Sequence, residues 1–158
     1  MKRWISIMAL VVISAGLSTP ASAKGAQLGV QGGFGGDLDW YIGARAEFET
    51  ARIFKNARMV ADFDYFFPGG NFNYYEFDLN YLWPLTTFAE NSDSNLYAGA
   101  GLNVGRGKPD GGDSNWQMGM NVLGGFSYDL SDRSAFVEGG YTFFSDYDQW
   151  HVGTGFLF

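Results

Sequence analysis

The sequence contains no cysteine, only one histidine, and few charged residues, since Asp, Glu, Lys and Arg together make up 17% of its 158 residues. Without cysteine there can be no disulfide, thiol catalysis, cysteine-based zinc site or lipoprotein anchor. The formal net charge of −7 argues against nucleic-acid binding, because a phosphate-binding surface must be basic. Glycine and aromatic residues are abundant instead, with 23 glycines and an aromatic share of 18%. This composition is not that of an ordinary soluble enzyme.

The first segment has the pattern of a secretory signal peptide. Lys2 and Arg3 precede an apolar stretch over residues 4–17, and a run of small residues follows it. Ala21 and Ala23 match the A-x-A cleavage pattern, so residues 1–23 are predicted to be removed on export. The apolar stretch is shorter than the ~20 residues of a spanning helix. Residues 24–158 are predicted to form a single domain.

Apolar and polar residues alternate with a period of two through the rest of the chain, and no segment has helical periodicity. Connections rich in Gly, Asp, Asn, Ser and Pro separate the alternating segments, as hairpins require. The pattern predicts an all-β fold in which consecutive antiparallel strands form an up-and-down meander. Eight segments are predicted as strands: roughly residues 27–34, 39–48, 57–67, 74–83, 96–105, 116–128, 135–143 and 150–158.

Such a meander can close as a soluble binding barrel with an apolar interior or as a membrane barrel with an apolar exterior. A soluble outer wall carries lysine, yet Lys24, Lys55 and Lys108 are all predicted to lie off the strands. Aromatic residues on the apolar faces gather near strand ends, as in the girdles at membrane interfaces. The strand lengths fit the ~9–11 residues needed to cross a bilayer. We therefore predict an eight-stranded antiparallel up-and-down transmembrane β-barrel.

The end of the chain carries the most specific motif. His151, Gly153, Phe156 and Phe158 resemble the C-terminal assembly signal of bacterial outer-membrane barrels, in which alternating apolar residues lead to a terminal phenylalanine. With its signal peptide and eight strands, the chain is similar to the small class that includes OmpX, the OmpA transmembrane domain and opacity-type proteins.

This resemblance implies the outer membrane of a Gram-negative-type bacterium and insertion by the barrel assembly machinery with the help of periplasmic chaperones. It also implies periplasmic termini, contact with outer-membrane lipid and lipopolysaccharide, and a monomer. The predicted outer loops are short, at about residues 35–36, 68–70, 106–114 and 145–148. Short loops argue against adhesion, which normally uses long ones.

If the polar faces point inward, charged residues of the second to fourth strands meet in the lumen. A tight turn at residues 68–70 would place Asp62 opposite Glu76, where like charges repel, and arginines are the expected compensation. Because eight strands enclose a space just wide enough for side chains to fill, we predict an occluded lumen, with a narrow porin-like cation path as the alternative. The predicted ion-pair network consists of Arg45, Glu47, Arg58, Asp62, Glu76 and Asp78.

Catalysis and metal binding are both disfavoured. Enzymes on this scaffold pair histidine with serine or a carboxylate, and His151 has no recognisable partner, so we predict no enzyme activity. Residues 110–115 could chelate calcium but match an ordinary turn, so no metal and no cofactor is predicted. The predicted function is a structural role in the envelope. A cation-permeable pore and a soluble lipocalin-like binder are the alternatives.

Overall fold

The computed structural model describes residues 26–49, 57–69, 72–87, 93–109, 114–144 and 148–158. Within these ranges the strands pair antiparallel in sequence order, and the first also pairs with the last, which closes a barrel. The predicted fold is thereby confirmed. The strands are β1 (Ala26–Gly35), β2 (Trp40–Glu49), β3 (Arg58–Phe66), β4 (Phe72–Thr87), β5 (Ser94–Pro109), β6 (Asn115–Leu130), β7 (Arg133–Phe144) and β8 (Asp148–Leu157).

A short 3-10 turn, Gly36–Leu38, connects β1 to β2. Among the described residues no helix is long and apolar enough to span a bilayer. The predicted signal peptide, with Ala21 and Ala23, lies outside the described residues, and so do residues 110–113 of the segment with clustered oxygen ligands that could chelate calcium.

Three neighbouring strands, β4 to β6, are longer than the sequence pattern predicted, at 16 residues each. Lys108, predicted to lie in a loop, belongs to β5 and is paired with Asn73. That prediction was wrong because glycine and proline around Lys108 are typical of a turn, whereas here they lie within the paired end of β5. At the other end of β4, pairing continues past Pro84 after a register shift between Pro84 and Thr86.

The two faces of the wall have the polarity opposite to that of a soluble protein. Large apolar side chains face outward: Trp40 is 67% exposed and Met118 is 70% exposed. Charged and amide side chains face inward, where Arg45 is 2% exposed and Asn103 is 1% exposed. This inversion follows from the alternation of residue types along each strand, because successive side chains point to opposite faces.

The barrel has a loop end, which holds the connections after the odd-numbered strands, and a terminal end, which holds Ala26 and Phe158. At the loop end the ring of Phe34 lies 5.6 Å from that of Trp40 and 5.7 Å from that of Trp150. The band between the ends is not made only of small residues, however. Phe63 and Phe77 are cross-strand partners there, and their ring centroids lie 4.8 Å apart.

Candidate functional site in the barrel lumen

The inside of the barrel is arranged in three layers, because inward positions near the strand ends carry apolar side chains and central ones carry polar side chains. The apolar cluster at the loop end is formed by Tyr41, Phe66 and Tyr74, with Leu38 packed against it. The cluster nearer the terminal end is formed by Val60, Leu82, Tyr97 and Leu123. The layer between these clusters contains most of the buried charge.

Arg45 is the centre of the polar layer. Its Nε donates to Asp62 Oδ1 at 2.9 Å, and its Nη2 donates to Glu138 Oε1 at 3.0 Å. Asp62 is the cross-strand neighbour of Arg45 on β3, whereas Glu138 reaches it from β7. The guanidinium carbon also lies 4.2 Å from the ring centroid of Phe136. Arg45 thereby ties together strands from different parts of the wall through charge-assisted hydrogen bonds.

A second ion pair lies nearer the terminal end. Arg58 Nη1 donates to Glu47 Oε2 at 2.9 Å, and the Arg58 guanidinium carbon lies 5.3 Å from the ring centroid of Tyr97. The hydroxyl of Tyr97 donates to Glu138 Oε2 at 3.1 Å. This tyrosine therefore contacts both the Arg58 pair and the Arg45 pair.

The predicted placement of Asp62 opposite Glu76 is wrong. The cross-strand pairs are Asp62 with Asp78 and Asp64 with Glu76. The register differs by two residues because β3 ends at Phe66 and β4 begins only at Phe72, so the connection is longer than the predicted tight turn. A shift by two leaves every side chain on its predicted face. It brings like charges opposite each other twice rather than once.

The polar layer is divided into an ion-paired part and an acidic part. Three inward carboxylates, Asp64, Glu76 and Asp78, form no ion pair with the basic side chains of the described residues. Neutral amides bind two of them instead. Gln31 Nε2 donates to Asp64 Oδ1 at 2.8 Å, and Asn103 Nδ2 donates to Asp78 Oδ1 at 2.8 Å.

Of the predicted network, Arg45, Glu47, Arg58 and Asp62 are thus brought together in ion pairs, and Glu76 and Asp78 are not. The alternation in β7 places Glu138 on the inward face, but the predicted network does not include it. Its contact with Arg45 could not be read, because the two strands are not neighbours in the sheet.

The acidic part borders a cavity of about 20 Å³, here called the acidic chamber, which is close to the volume of a single water site. Within the described ranges, no three His, Asp or Glu side chains are placed to hold a metal ion together. The residues of its wall include Asp62, Asp64, Glu76, Asp78, Asn121 and His151.

His151 has a packing role in this wall. A Cβ placed on Gly140 of β7 would lie 2.6 Å from both Cε1 and Nε2 of the His151 ring. The histidine therefore occupies the space that the glycine leaves open.

Three inward tyrosines are accommodated in the same way. A Cβ on Gly153 would meet the hydroxyl of Tyr41, and one on Gly105 would meet the hydroxyl of Tyr74. A Cβ on Gly125 would lie 2.7 Å from Cε2 of Tyr97. Much of the excess glycine in the sequence thus makes room for rings in a narrow lumen.

The C-terminal motif divides between the two faces of β8. His151 and Gly153 are on the inward face, whereas Phe156 is on the outward face and is 49% exposed. The backbone nitrogen of Phe158 donates to the carbonyl oxygen of Leu28 at 2.8 Å. The last residue is therefore fixed to the first strand of the closed wall.

Comparison with solved structures identifies proteins of the same architecture. Neisserial surface protein A matches with a TM-score of 0.68 at 16% identity, over 85% of this chain and 96% of that chain. The N-terminal β-barrel domain of OprF from Pseudomonas aeruginosa matches with a TM-score of 0.67 at 12% identity, over 85% of this chain and 96% of that chain. Ail, the attachment invasion locus protein of Yersinia pestis, matches with a TM-score of 0.53 at 15% identity, over 86% of this chain and 100% of that chain.

No protein-family model matches the sequence, and no curated protein matches it. Identities of 12 to 16% support a statement about fold rather than about shared function. On that basis, the chain has the closed fold of the small eight-stranded outer-membrane β-barrels.

Proposed function

We propose that the protein is an integral outer-membrane β-barrel with a structural role in the envelope and without enzymatic activity. The observation that carries this proposal is the inverted polarity of the wall. Leu102, Met118 and Met120 are each at least 58% exposed on its outer face, while six carboxylate and arginine side chains of the lumen are less than 9% exposed. An apolar surface of this extent needs lipid around it, and a closed barrel leaves no unpaired edge in lipid.

The lumen, in this proposal, is filled by its own side chains. The two ion pairs of Arg45 and the rings of Tyr41 and Phe66 support this interpretation, because they cross the interior at two levels. A soluble lipocalin-like binder needs an apolar interior pocket, and the central layer is charged. That alternative is therefore disfavoured.

An outer-membrane location determines which molecules the protein contacts during export and after insertion. The partners of the outer wall are outer-membrane lipid and lipopolysaccharide. Export by residues 1–23, chaperoned passage through the periplasm of a Gram-negative-type bacterium and insertion by the barrel assembly machinery precede that state. A monomer is part of the proposal, since closure leaves no strand edge through which a second copy could pair.

Membrane residence is tested first by location. Cells that produce the protein are fractionated, and it should remain in the membrane pellet after washing with urea or carbonate. Recovery from a periplasmic extract without detergent would contradict the proposal.

A pair of lysine substitutions tests which face meets lipid. Ala100→Lys lies halfway along β5, and we expect it to lower the free energy of unfolding from lipid vesicles by ~2–4 kcal/mol. Leu130→Lys, at the end of β6, is the matched control and should cost only ~0–1 kcal/mol, because the penalty falls toward the membrane interface. Equal, small costs at the two positions would favour a water-exposed outer wall.

A further inference from the structure

Inside the barrel the described side chains carry more negative than positive charge. Six inward carboxylates face two inward arginines in the described lumen, and both arginines are already engaged in ion pairs. The carboxylates of Asp64, Glu76 and Asp78 receive hydrogen bonds from uncharged amide and hydroxyl donors, and none is paired with a basic side chain of the described residues. Burying an unpaired carboxylate is costly, so each of the three either binds a proton or lies close to a compensating positive charge.

Unsatisfied oxygen atoms mark where that charge would lie. Oε1 of Glu76 and Oδ1 of Asn121 are both buried without a hydrogen-bond donor. Glu76 is 5% exposed and Asn121 is 2% exposed. The Asn121 amide cannot simply be turned over, because its nitrogen donates to both Asp78 and Asn80. Both residues are part of the acidic chamber wall. Buried acceptors without donors beside unpaired carboxylates are suited to a cation and not to an anion.

The number of ligands restricts the kind of cation. Calcium takes 6–8 oxygen ligands, often with water among them, and a cavity of about 20 Å³ has no room for water beside an ion. No three acidic or histidine side chains of the described residues converge as a chelating group either. We propose that the acidic chamber binds one dehydrated monovalent cation, sodium or potassium. Its ligands are the carboxylates of Glu76 and Asp78 and the side-chain oxygen Oδ1 of Asn121.

The location of the chamber defines what the cation does. Tyr41 and Phe66 bound the chamber toward the loop end, and Asp62, which is paired with Arg45, contributes to the same wall. A cation held there is a structural counterion that enters as the barrel closes. It links β4 to β6, which are not neighbours in the sheet.

The test measures urea unfolding of the membrane-extracted protein in detergent, with tryptophan fluorescence as the signal. Sodium chloride is replaced stepwise by choline chloride at constant ionic strength, so that screening is unchanged and only the small cation varies. Above the dissociation constant, each tenfold rise in sodium should lower the unfolding equilibrium constant about tenfold, as expected for one bound ion. Identical unfolding curves in sodium, potassium and choline would overturn the proposal.

A double variant locates the effect. Glu76→Gln with Asp78→Asn should abolish the dependence on sodium and should be at least as stable as the parent in choline, since it removes two lumen charges that no basic side chain of the described residues pairs with. Asp148→Asn, which changes an exposed carboxylate at the loop end, should keep the full dependence. Retention of the dependence in the double variant, or stabilisation by calcium at lower concentration than by sodium, would each contradict the assignment. If the double variant does not fold, the comparison of salts on the parent protein still decides.

Discussion

Individual glycines in this wall are required on one face and dispensable on the other. Gly99 of β5 is inward, and a Cβ there would lie 2.5 Å from Cδ2 of Leu82, 2.9 Å from Cδ1 of Leu123 and 3.0 Å from the backbone oxygen of Tyr81. Gly139 of β7 is outward, and its nearest neighbours would be 3.7 Å away or more. An alanine should therefore destabilise the barrel at Gly99 and not at Gly139.

We expect Gly99→Ala to lower the free energy of unfolding by ~1–3 kcal/mol, because added volume in a packed interior forces neighbours to shift. Gly139→Ala should be neutral or stabilising by ~0.5–1 kcal/mol, since alanine is less flexible than glycine in the unfolded chain. Urea unfolding of both variants in detergent measures the difference. A destabilisation by Gly139→Ala as large as that by Gly99→Ala would show that the faces are assigned incorrectly.

The facing of each residue could be predicted from the sequence, and its partners across the lumen could not. Alternation alone places Tyr41 and Gly153 on the inward face, because side chains follow the pleat of the strand. That the hydroxyl of Tyr41 lies over Gly153, or that Glu138 binds Arg45, depends on how far strands slide past one another when the barrel closes. No local pattern in the sequence contains that information.

For the strands, the sequence predicts that each one exists more reliably than it predicts where each one ends or how it pairs with its neighbour. All eight alternating segments are strands, yet β4 and β5 continue beyond Trp83 and Gly105 into segments whose glycine and proline content is typical of turns. The register of β3 against β4 was predicted incorrectly because it depends on the length of one connection. The length of a connection is hard to predict from the sequence, since residue types that are typical of turns also occur here within the paired ends of β4 and β5.

The last strand gives a prediction about assembly. Removing Phe158 should impair barrel formation in cells more strongly than refolding in detergent, because recognition by an assembly machinery acts only in cells. In the refolded barrel the losses are one backbone hydrogen bond to Leu28, worth ~0.5–1.5 kcal/mol, and the contact of the Phe158 ring with Arg133. The measurement compares the folded fraction in outer membranes with the folded fraction after dilution from urea into micelles.

Phe143→Ala is the matched control, because it removes an outward phenylalanine of β7 that is 46% exposed. It should affect the two assays equally. If removal of Phe158 also affects both equally, the C-terminal residues act through packing and not as an assembly signal.

In the whole molecule, the placement of the charged side chains decides whether the lumen is occluded or conducts ions. An apolar exterior holds the wall in lipid, and the ion pairs of Arg45 with Asp62 and Glu138 connect strands across the interior. In this arrangement the same residues that close the lumen also stabilise it. Stability and ionic conductance should therefore be controlled together.

Arg45→Ala tests this connection. We expect the parent barrel to carry no steady current in a planar bilayer, and we expect the variant to lose ~3–5 kcal/mol of unfolding free energy, because Asp62 and Glu138 stay buried without their partner. Arg133→Ala is the control, since Arg133 packs at the terminal end with its guanidinium carbon 5.6 Å from the ring centroid of Phe158, and it should change neither property. A variant that lacks Arg45, remains as stable as the parent and conducts ions would show that Arg45 gates a cation path instead of holding the wall together.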